Sequence, residues 1–305
     1  MKEKIFFVVG PTASGKTAAA AILAKRMGAE IISCDSMQVY KGMEIITSKP
    51  AAALRKKVPH HLIGVVSLAK DYDVSCYRRA ALKKVRDILK RGKIPLFAGG
   101  TGLYMSVLLD GIFKTKASDP LLRSRLYKSA RDSGSVYLYN RLLRVDPAAA
   151  RKIHPNDTRR LIRALEVFTT TGKPISELQK NRCGLYADYE VKILCLDLPR
   201  ERLYRRIEER AEQMFKKGLL DEVKKLLPGK LSRTASAAIG IKELKGYFEG
   251  QYDLAEAKRL IKFNTRRYAK RQLTWFRKDK RIKWVKLTGN ESPKETADKL
   301  WKKYF

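Results

Sequence analysis

The sequence predicts an α/β protein, a parallel sheet flanked by helices and carrying a helical insertion domain. Three observations carry this expectation. Short β-branched apolar runs alternate with longer helical stretches, a glycine-rich turn joins the first run to the first helical stretch, and from residue 118 to 189 the alternation stops.

The first run, Ile5-Phe6-Phe7-Val8-Val9, has the continuous apolar character of a strand buried on both faces. Gly10, Pro11, Thr12, Ala13, Ser14, Gly15, Lys16 and Thr17 follow, and an Ala-rich stretch from 17 to 27 is expected to be helical. Strand, glycine loop, helix is the context in which G-x-x-x-x-G-K-[ST] cradles phosphate. Gly10 and Gly15 let the backbone turn so that successive N–H groups point inward, and the positive end of the following helix adds to the pull on an anion. Lys16 can reach a terminal phosphate, and the Thr17 hydroxyl can sit on Mg²⁺. The sheet is therefore expected to be P-loop NTPase-like.

Further buried strands are predicted over 31–34, 94–98 and 191–196. Between them, 75–91 places Leu82, Val85, Ile88 and Leu89 at helical spacing before Gly92 as a stop. Pro120, Pro147, Pro155 and Pro174 punctuate a region with no convincing buried strand, and the strand pattern resumes at Val191. The expected organisation is a core formed by 1–117 with 190–305 and a helical insertion over 118–189. Long helical sections are predicted over 200–227, after Pro199, and over 254–278.

With 305 residues the chain has ample length for a core. Its 66 Lys and Arg against 31 Asp and Glu leave a formal charge of +35, a field that attracts polyanions and favours a nucleic-acid partner over a mere solubility surplus. Cys34, Cys76, Cys183 and Cys195 form no C-x-x-C pair and suggest no zinc site with His60, His61 and His154, as in a reduced cytoplasmic protein. The N-terminus runs at once into a strand, so no signal peptide is expected, and no apolar run approaches the ~20 residues of a membrane span.

Asp35 follows the second strand, where ligands gather in an open parallel sheet; it can accept a proton there, or serve only as a turn or cap aspartate. Gly99-Gly100-Thr101-Gly102 follows the third apolar run; its glycines permit close approach of a ligand, or form a tight turn. His60-His61 is expected to be structural. Asp197 resembles a second phosphate-site aspartate, but Pro199 makes it an expected helix cap.

Together these stretches resemble one family, the tRNA dimethylallyltransferases or tRNA isopentenyltransferases, bacterial type. The resemblance rests on 10–17, Asp35-Ser36-x-Gln38-Val39-Tyr40-Lys41-Gly42-Met43, Pro59-His60-His61-Leu62, Gly99-Gly100-Thr101-Gly102-Leu103-Tyr104, and Ile153-His154-Pro155-Asn156-Asp157. Arg159-Arg160-x-x-Arg163-Ala164-Leu165-Glu166 and Ala269-Lys270-Arg271-Gln272-Leu273-Thr274-Trp275 complete it. It implies transfer of a dimethylallyl group from dimethylallyl pyrophosphate to N6 of the adenosine adjacent to the tRNA anticodon (position 37), with pyrophosphate released and Mg²⁺ on Thr17. Asp35 would take the N6 proton, Thr101 would bond near the reacting centre, and Arg210 would clamp pyrophosphate unless it is a solvated arginine paired to a helix glutamate. Contacts to the anticodon stem-loop are implied for Asp35, Ser36, Met37, Gln38, Thr101 and Arg123. They are implied also for Arg159, Arg160, Leu161, Ile162 and Arg163, and for the basic helix with Lys262, Arg266, Lys270, Arg267 and Arg271. Trp275 and Phe276 are expected to pack beneath that helix. A monomer is expected.

Gly64 stands where the family usually shows Asp, Ile46 where Gly is common, and Ile241 where an aromatic is frequent; the first two are expected to alter a loop near the site. The zinc finger of some eukaryotic members has no counterpart here.

Overall fold

The computed structural model describes residues 2–113 and 119–304. Six parallel strands form one sheet: β1 (Lys4–Val9), β2 (Ala29–Cys34), β3 (His60–His61), β4 (Ile94–Gly99), β5 (Glu190–Asp197) and β6 (Lys283–Lys286), in the order β3-β2-β4-β1-β5-β6. The four predicted strands are all present. The predictions missed β3 and β6 because both are short edge strands, with two and four residues and no continuous apolar run. The central strand β1 pairs with β4 on one side and β5 on the other, with Val9 opposite Gly99 and Cys195. The chain runs outward from β1 past β4 in one direction and past β5 in the other only later, so the loops after β1, β2 and β4 gather at one carboxyl edge.

Among the described residues the helices of eight residues or more are α1 (Lys16–Met27), α2 (Val74–Lys90), α3 (Gly102–Leu109), α4 (Pro120–Val145), α5 (Thr158–Thr171), α6 (Arg200–Lys216), α7 (Leu219–Leu226), α8 (Ile241–Phe248), α9 (Leu254–Arg277) and α10 (Pro293–Tyr304). The single helix expected over 200–227 is two: Gly218, at φ 92°, ends α6 and starts α7. Alanines 19, 20, 21 and 24 of α1 are buried, which lets this helix pack closely on the sheet. Tyr304 of α10 reaches under β1 and donates its hydroxyl to the Phe7 carbonyl at 2.6 Å. Among the described residues no helix is long and apolar enough to cross a membrane.

The chain divides into two compact units, Met1–Leu108 with Leu185–Phe305, and Leu109–Gly184. The boundary expected at 117/118 lies outside the described residues. The second unit is helical among the described residues, with α4 broken at Gly134 (φ 78°). Its core brings Leu126, Leu138 and Leu142 of α4 against Leu161, Ile162 and Leu165 of α5.

Glu166, fully buried on α5, ties this unit together. It accepts both hydrogen bonds of the Arg123 guanidinium at 2.9 and 3.0 Å, one from Arg163 at 2.7 Å, and the Asp119 backbone N–H at 3.1 Å. Burial pushes its carboxyl up, but the bonds from Arg123 and Arg163 outweigh this and hold it below the ordinary range. Its contribution is therefore present above the pH at which an unfolded glutamate ionises and is lost as pH falls through the lowered folded value. Glu166→Gln should cost roughly 1–3 kcal/mol at neutral pH. Thermal unfolding against pH should show the two proteins converging on acidification, and equal midpoints at pH 7 would contradict the role.

Candidate active site

Three loops and three helices of the first unit, α1, α6 and α9, build the site. The loop after β1 turns at Gly15 (φ 84°), which starts α1 with no side-chain cap and leaves the first amides open. Ala13 adopts φ 63°, a left-handed conformation unusual for a residue with a Cβ, and it turns the loop inward. The buried Ser14 hydroxyl has no hydrogen-bond partner among the described residues, a vacancy that an anion's oxygen can fill. Lys16 donates to the Pro11 carbonyl at 3.0 Å. Its pKa is lowered to about 8, chiefly by burial, with Arg210 adding to the depression and Asp35 opposing it.

Arg210 lies on α6 and turns to the phosphate loop. Its guanidinium donates to Thr12 Oγ1 at 3.0 Å and to Ser48 Oγ at 2.9 Å, with no helix glutamate as its partner among these bonds. Burial lowers its pKa as well, and the charge of Asp35 opposes this. Two cationic groups thus sit desolvated beside one carboxylate, an arrangement suited to an anion of higher charge.

Asp35 does serve as a turn aspartate: its Oδ1 accepts the Met37 N–H at 2.9 Å and, longer, the Gln38 N–H at 3.4 Å. Those bonds orient the carboxylate without removing it from the site. Asp35, Thr12, Thr47, Arg210 and Tyr268 line two adjoining cavities, one of about 60 Å³ that also touches Lys16 and Thr17, the other of about 230 Å³ walled by Met37, Ile207 and Ile261. Thr101 stitches the loops: its N–H donates to the Cys34 carbonyl at 3.1 Å, and its Oγ1 accepts the Ser36 N–H at 3.0 Å. Gln38 is held by Ser33 Oγ, which donates to its Oε1 at 3.1 Å.

Of the two readings of 99–102, ligand approach or a tight turn, the structure shows the turn: two residues separate the end of β4 from the start of α3, and the bare backbone faces other parts of the protein. A Cβ on Gly99 would lie 2.1 Å from the Cys34 carbonyl oxygen, on Gly100 2.2 Å from Gln272 Nε2, and on Gly102 2.2 Å from Trp275 Cδ1. They admit protein, namely β2 and α9. Trp275 correspondingly lies with one edge on Gly102 while remaining 43% exposed; only Phe276 is buried beneath the helix as expected.

Other expectations separate in the same way. His60 and His61 form β3, and His61 Nε2 meets Glu30 at 2.6 Å. His60 Nδ1 bonds the Val58 carbonyl at 2.7 Å, but its ring also lines the smaller cavity and its buried Nε2 has no partner among the described residues, so the purely structural expectation covers only His61. Asp197 caps nothing, since Pro199 starts α6 without a side-chain cap. Leu161 and Ile162 are buried at 0% and 2% exposure in the core of the second unit, so their side chains face away from any RNA. Arg160 pairs with Asp157, which caps α5, but like Arg159 it stays exposed. On α9, Lys262 pairs with Glu212 at 2.6 Å and Arg266 with Glu208, both on α6, so this part of the expected basic face is neutralised within the protein. Arg267, Lys270 and Arg271 stay exposed. Ile46, 7% exposed, packs against Gly240, and its N–H joins those of Glu44 and Ile45 on the Glu222 carboxylate at 2.8–2.9 Å. Gly64 takes φ 60° and donates its N–H to the Gln38 carbonyl at 2.8 Å.

Sequence reasoning did not single out Tyr268 or Gln272 as site residues. Tyr268 borders both cavities beside Thr101, and burial, with the charge of Asp35 adding, raises its pKa. Gln272 was visible only as one letter of a motif; a helical residue's reach across to two loops has no signature in spacing.

The family model described as IPP transferase matches residues 38–279, and that described as isopentenyl transferase matches 3–59. The chain is 47% identical over 302 residues to the tRNA dimethylallyltransferase of Carboxydothermus hydrogenoformans, covering 98% of this chain and 97% of that one. It is 46% identical over 291 residues to the tRNA dimethylallyltransferase of Geobacter sulfurreducens, covering 95% and 94%. The crystal structure of the tRNA isopentenylpyrophosphate transferase of Bacillus halodurans superposes with a TM-score of 0.71 at 38% identity over 99% of this chain and 98% of that one. A eukaryotic dimethylallyltransferase caught acting on tRNA gives 0.79 at 30% identity, over 94% of this chain and 74% of the other. On these matches, and on a phosphate loop and carboxylate set side by side at one sheet edge, the chain belongs to the IPP transferase family, whose relatives named here are tRNA dimethylallyltransferases.

Proposed function

We propose that the protein transfers a dimethylallyl group from dimethylallyl pyrophosphate to N6 of the adenosine adjacent to the tRNA anticodon, position 37, releasing pyrophosphate. The observation that carries this reading is the juxtaposition of an anion cradle, Lys16 and Arg210 included, with Asp35, which lines both of two cavities that share Thr12, Thr47, Arg210 and Tyr268. The amides that open α1, Ser14, Lys16 and Arg210 would hold the diphosphate and stabilise charge as it grows on the leaving oxygens. The N6 lone pair forms a bond to C1 of the allyl group while the C1–O bond breaks, and its electron pair departs with pyrophosphate. The N6 proton goes to the Asp35 carboxylate, held ready by the Met37 N–H. For N6 to arrive there the target nucleotide must leave its stack.

The residues fit a Mg²⁺ ion: the Thr17 hydroxyl lies on the same cavity wall, and this ion ordinarily completes its shell with phosphate oxygens and water. When bound it would supply further charge stabilisation at the leaving group. Arg123, Arg163 and the exposed Arg159 would meet the RNA strand. The first two are set side by side by one buried carboxylate, which leaves the group net positive. Thr101 and residues 35–38 would face the target nucleotide. The reading extends to a monomer and to a cytoplasmic location, the latter in keeping with four free cysteines.

Donor dependence tests the whole reading. Incubated with tRNA, the protein should attach label from dimethylallyl pyrophosphate to adenosine; transfer of label from ATP instead would replace this reading with phosphoryl or nucleotidyl chemistry. Asp35→Asn, which keeps an acceptor for the turn, should lower kcat by roughly 10²- to 10⁴-fold with tRNA affinity largely kept. Near-normal turnover would remove Asp35 from proton transfer. Diphosphate binding needs charged Lys16, so donor KM should be flat below pH 8 and rise above it as the lysine loses its proton. A flat profile to pH 9.5 would contradict this. Arg159→Ala should weaken tRNA binding and reduce the slope of log K against log salt by about 1, and an unchanged slope would move the RNA footprint elsewhere.

A further inference from the structure

We propose that Gln272 is a positioning residue that sets the donor loop, 10–17, against the acceptor loop, 99–102, and with them the separation between leaving group and attacking amine; this rests on the prenyl-transfer reading. Gln272 lies on α9 at 5% exposure, and its carboxamide uses both ends. Oε1 accepts the Thr12 N–H at 2.8 Å, and Nε2 donates to the Gly100 carbonyl at 2.8 Å. A planar amide that donates at one end and accepts at the other fixes two backbones relative to each other as a single contact cannot.

Each backbone leads directly to a working group. Thr12 lies in the phosphate loop, and its hydroxyl accepts from Arg210. Gly100 precedes Thr101, whose hydroxyl accepts the Ser36 N–H next to Asp35. A shift of Gln272 would therefore travel through Thr12 to the anion cradle and through Thr101 to the carboxylate loop. The Thr12 N–H is also withheld from phosphate, so the cradle is made by the amides that follow it.

Packing alone does not account for this residue. An apolar side chain would fill the same space but leave the Thr12 N–H and the Gly100 carbonyl without their partner, so what the carboxamide adds to packing is its hold on those two backbones. The acceptor loop is also shaped around it: a Cβ on Gly100 would lie 2.2 Å from Nε2 and 3.1 Å from the Gly10 carbonyl. The bare backbone at Gly100 and the amide at 272 are two halves of one contact.

The test compares steady-state prenylation of an anticodon stem-loop by the unaltered chain, Gln272→Met, Gly100→Ala and the double variant, alongside stem-loop affinity and thermal midpoint. Met keeps the side chain's length and removes both hydrogen bonds, and Ala at 100 pushes the amide away from the other side. Each single variant should lose roughly 10- to 100-fold in kcat, the cost of misplacing reacting groups by about an ångström, with stem-loop affinity within about twofold. The double variant should be no worse than the poorer single, because both changes break one contact. Should Gln272→Met fail to fold, Gln272→Glu answers the same question: it keeps the acceptor for Thr12, opposes the Gly100 carbonyl, and should still lower kcat. A lowered midpoint with unchanged kcat per folded molecule, or losses that multiply in the double variant, would overturn the proposal. An unaltered chain that transfers no prenyl group would overturn the reading beneath it, and this role with it.

Discussion

The site depends on how closely β2 and β4 approach at their carboxyl ends. Gly99 faces the Cys34 backbone so tightly that a methyl group would sit 2.1 Å from its carbonyl oxygen, and that same oxygen accepts the Thr101 N–H at 3.1 Å. From this pinned point the acceptor loop and the Asp35 loop leave together, linked again by the Ser36 N–H on Thr101 Oγ1. Parallel strands impose the rest. With β1 between β4 and β5, the phosphate loop emerges beside that junction, and no long loop has to carry a catalytic group across the sheet.

Buried cationic and polar groups gather at this edge. Lys16 and Arg210 are both desolvated, and burial lowers the pKa of each. Ser14 keeps a buried hydroxyl without a partner among the described residues. Among those residues the non-glycine positions with positive φ are Ala13, Ser48 and Leu62: one in the phosphate loop, one bonded to Arg210, one in the segment after β3. Backbone strain of this kind persists where the surrounding structure overdetermines it, and it gathers at sites that bind.

Much of this was legible from residues alone, for reasons that can be named. Strands buried on both faces announce themselves by continuous apolar runs, so β1, β2, β4 and β5 were readable, whereas β3 is the polar pair His60-His61 and β6 includes Lys283 and Lys286. The phosphate loop is local, and its geometry follows from its own glycines. What sequence could not convey is partnership across long separations. Nothing near Lys262 or Arg266 signals that Glu212 and Glu208 neutralise them, nothing in Arg159-Arg160-Leu161-Ile162-Arg163 marks which members face the core except their own polarity, and nothing near Gly100 signals that its empty side is filled by Gln272. The glycines of 99–102 left ligand approach and a tight turn both open, because ligand and protein make the same demand on a backbone.

The central claim is that one cavity pair holds a diphosphate and an exocyclic amine on opposite sides of a five-carbon group. A crystal structure with a non-reactive analogue of dimethylallyl pyrophosphate and an anticodon stem-loop tests it most directly. The account predicts the diphosphate on the amides that open α1, between Lys16 and Arg210, with N6 of the flipped adenosine within hydrogen-bond reach (about 2.6–3.2 Å) of Asp35. A diphosphate seated elsewhere, or an adenosine amine out of reach of that carboxylate, would contradict it.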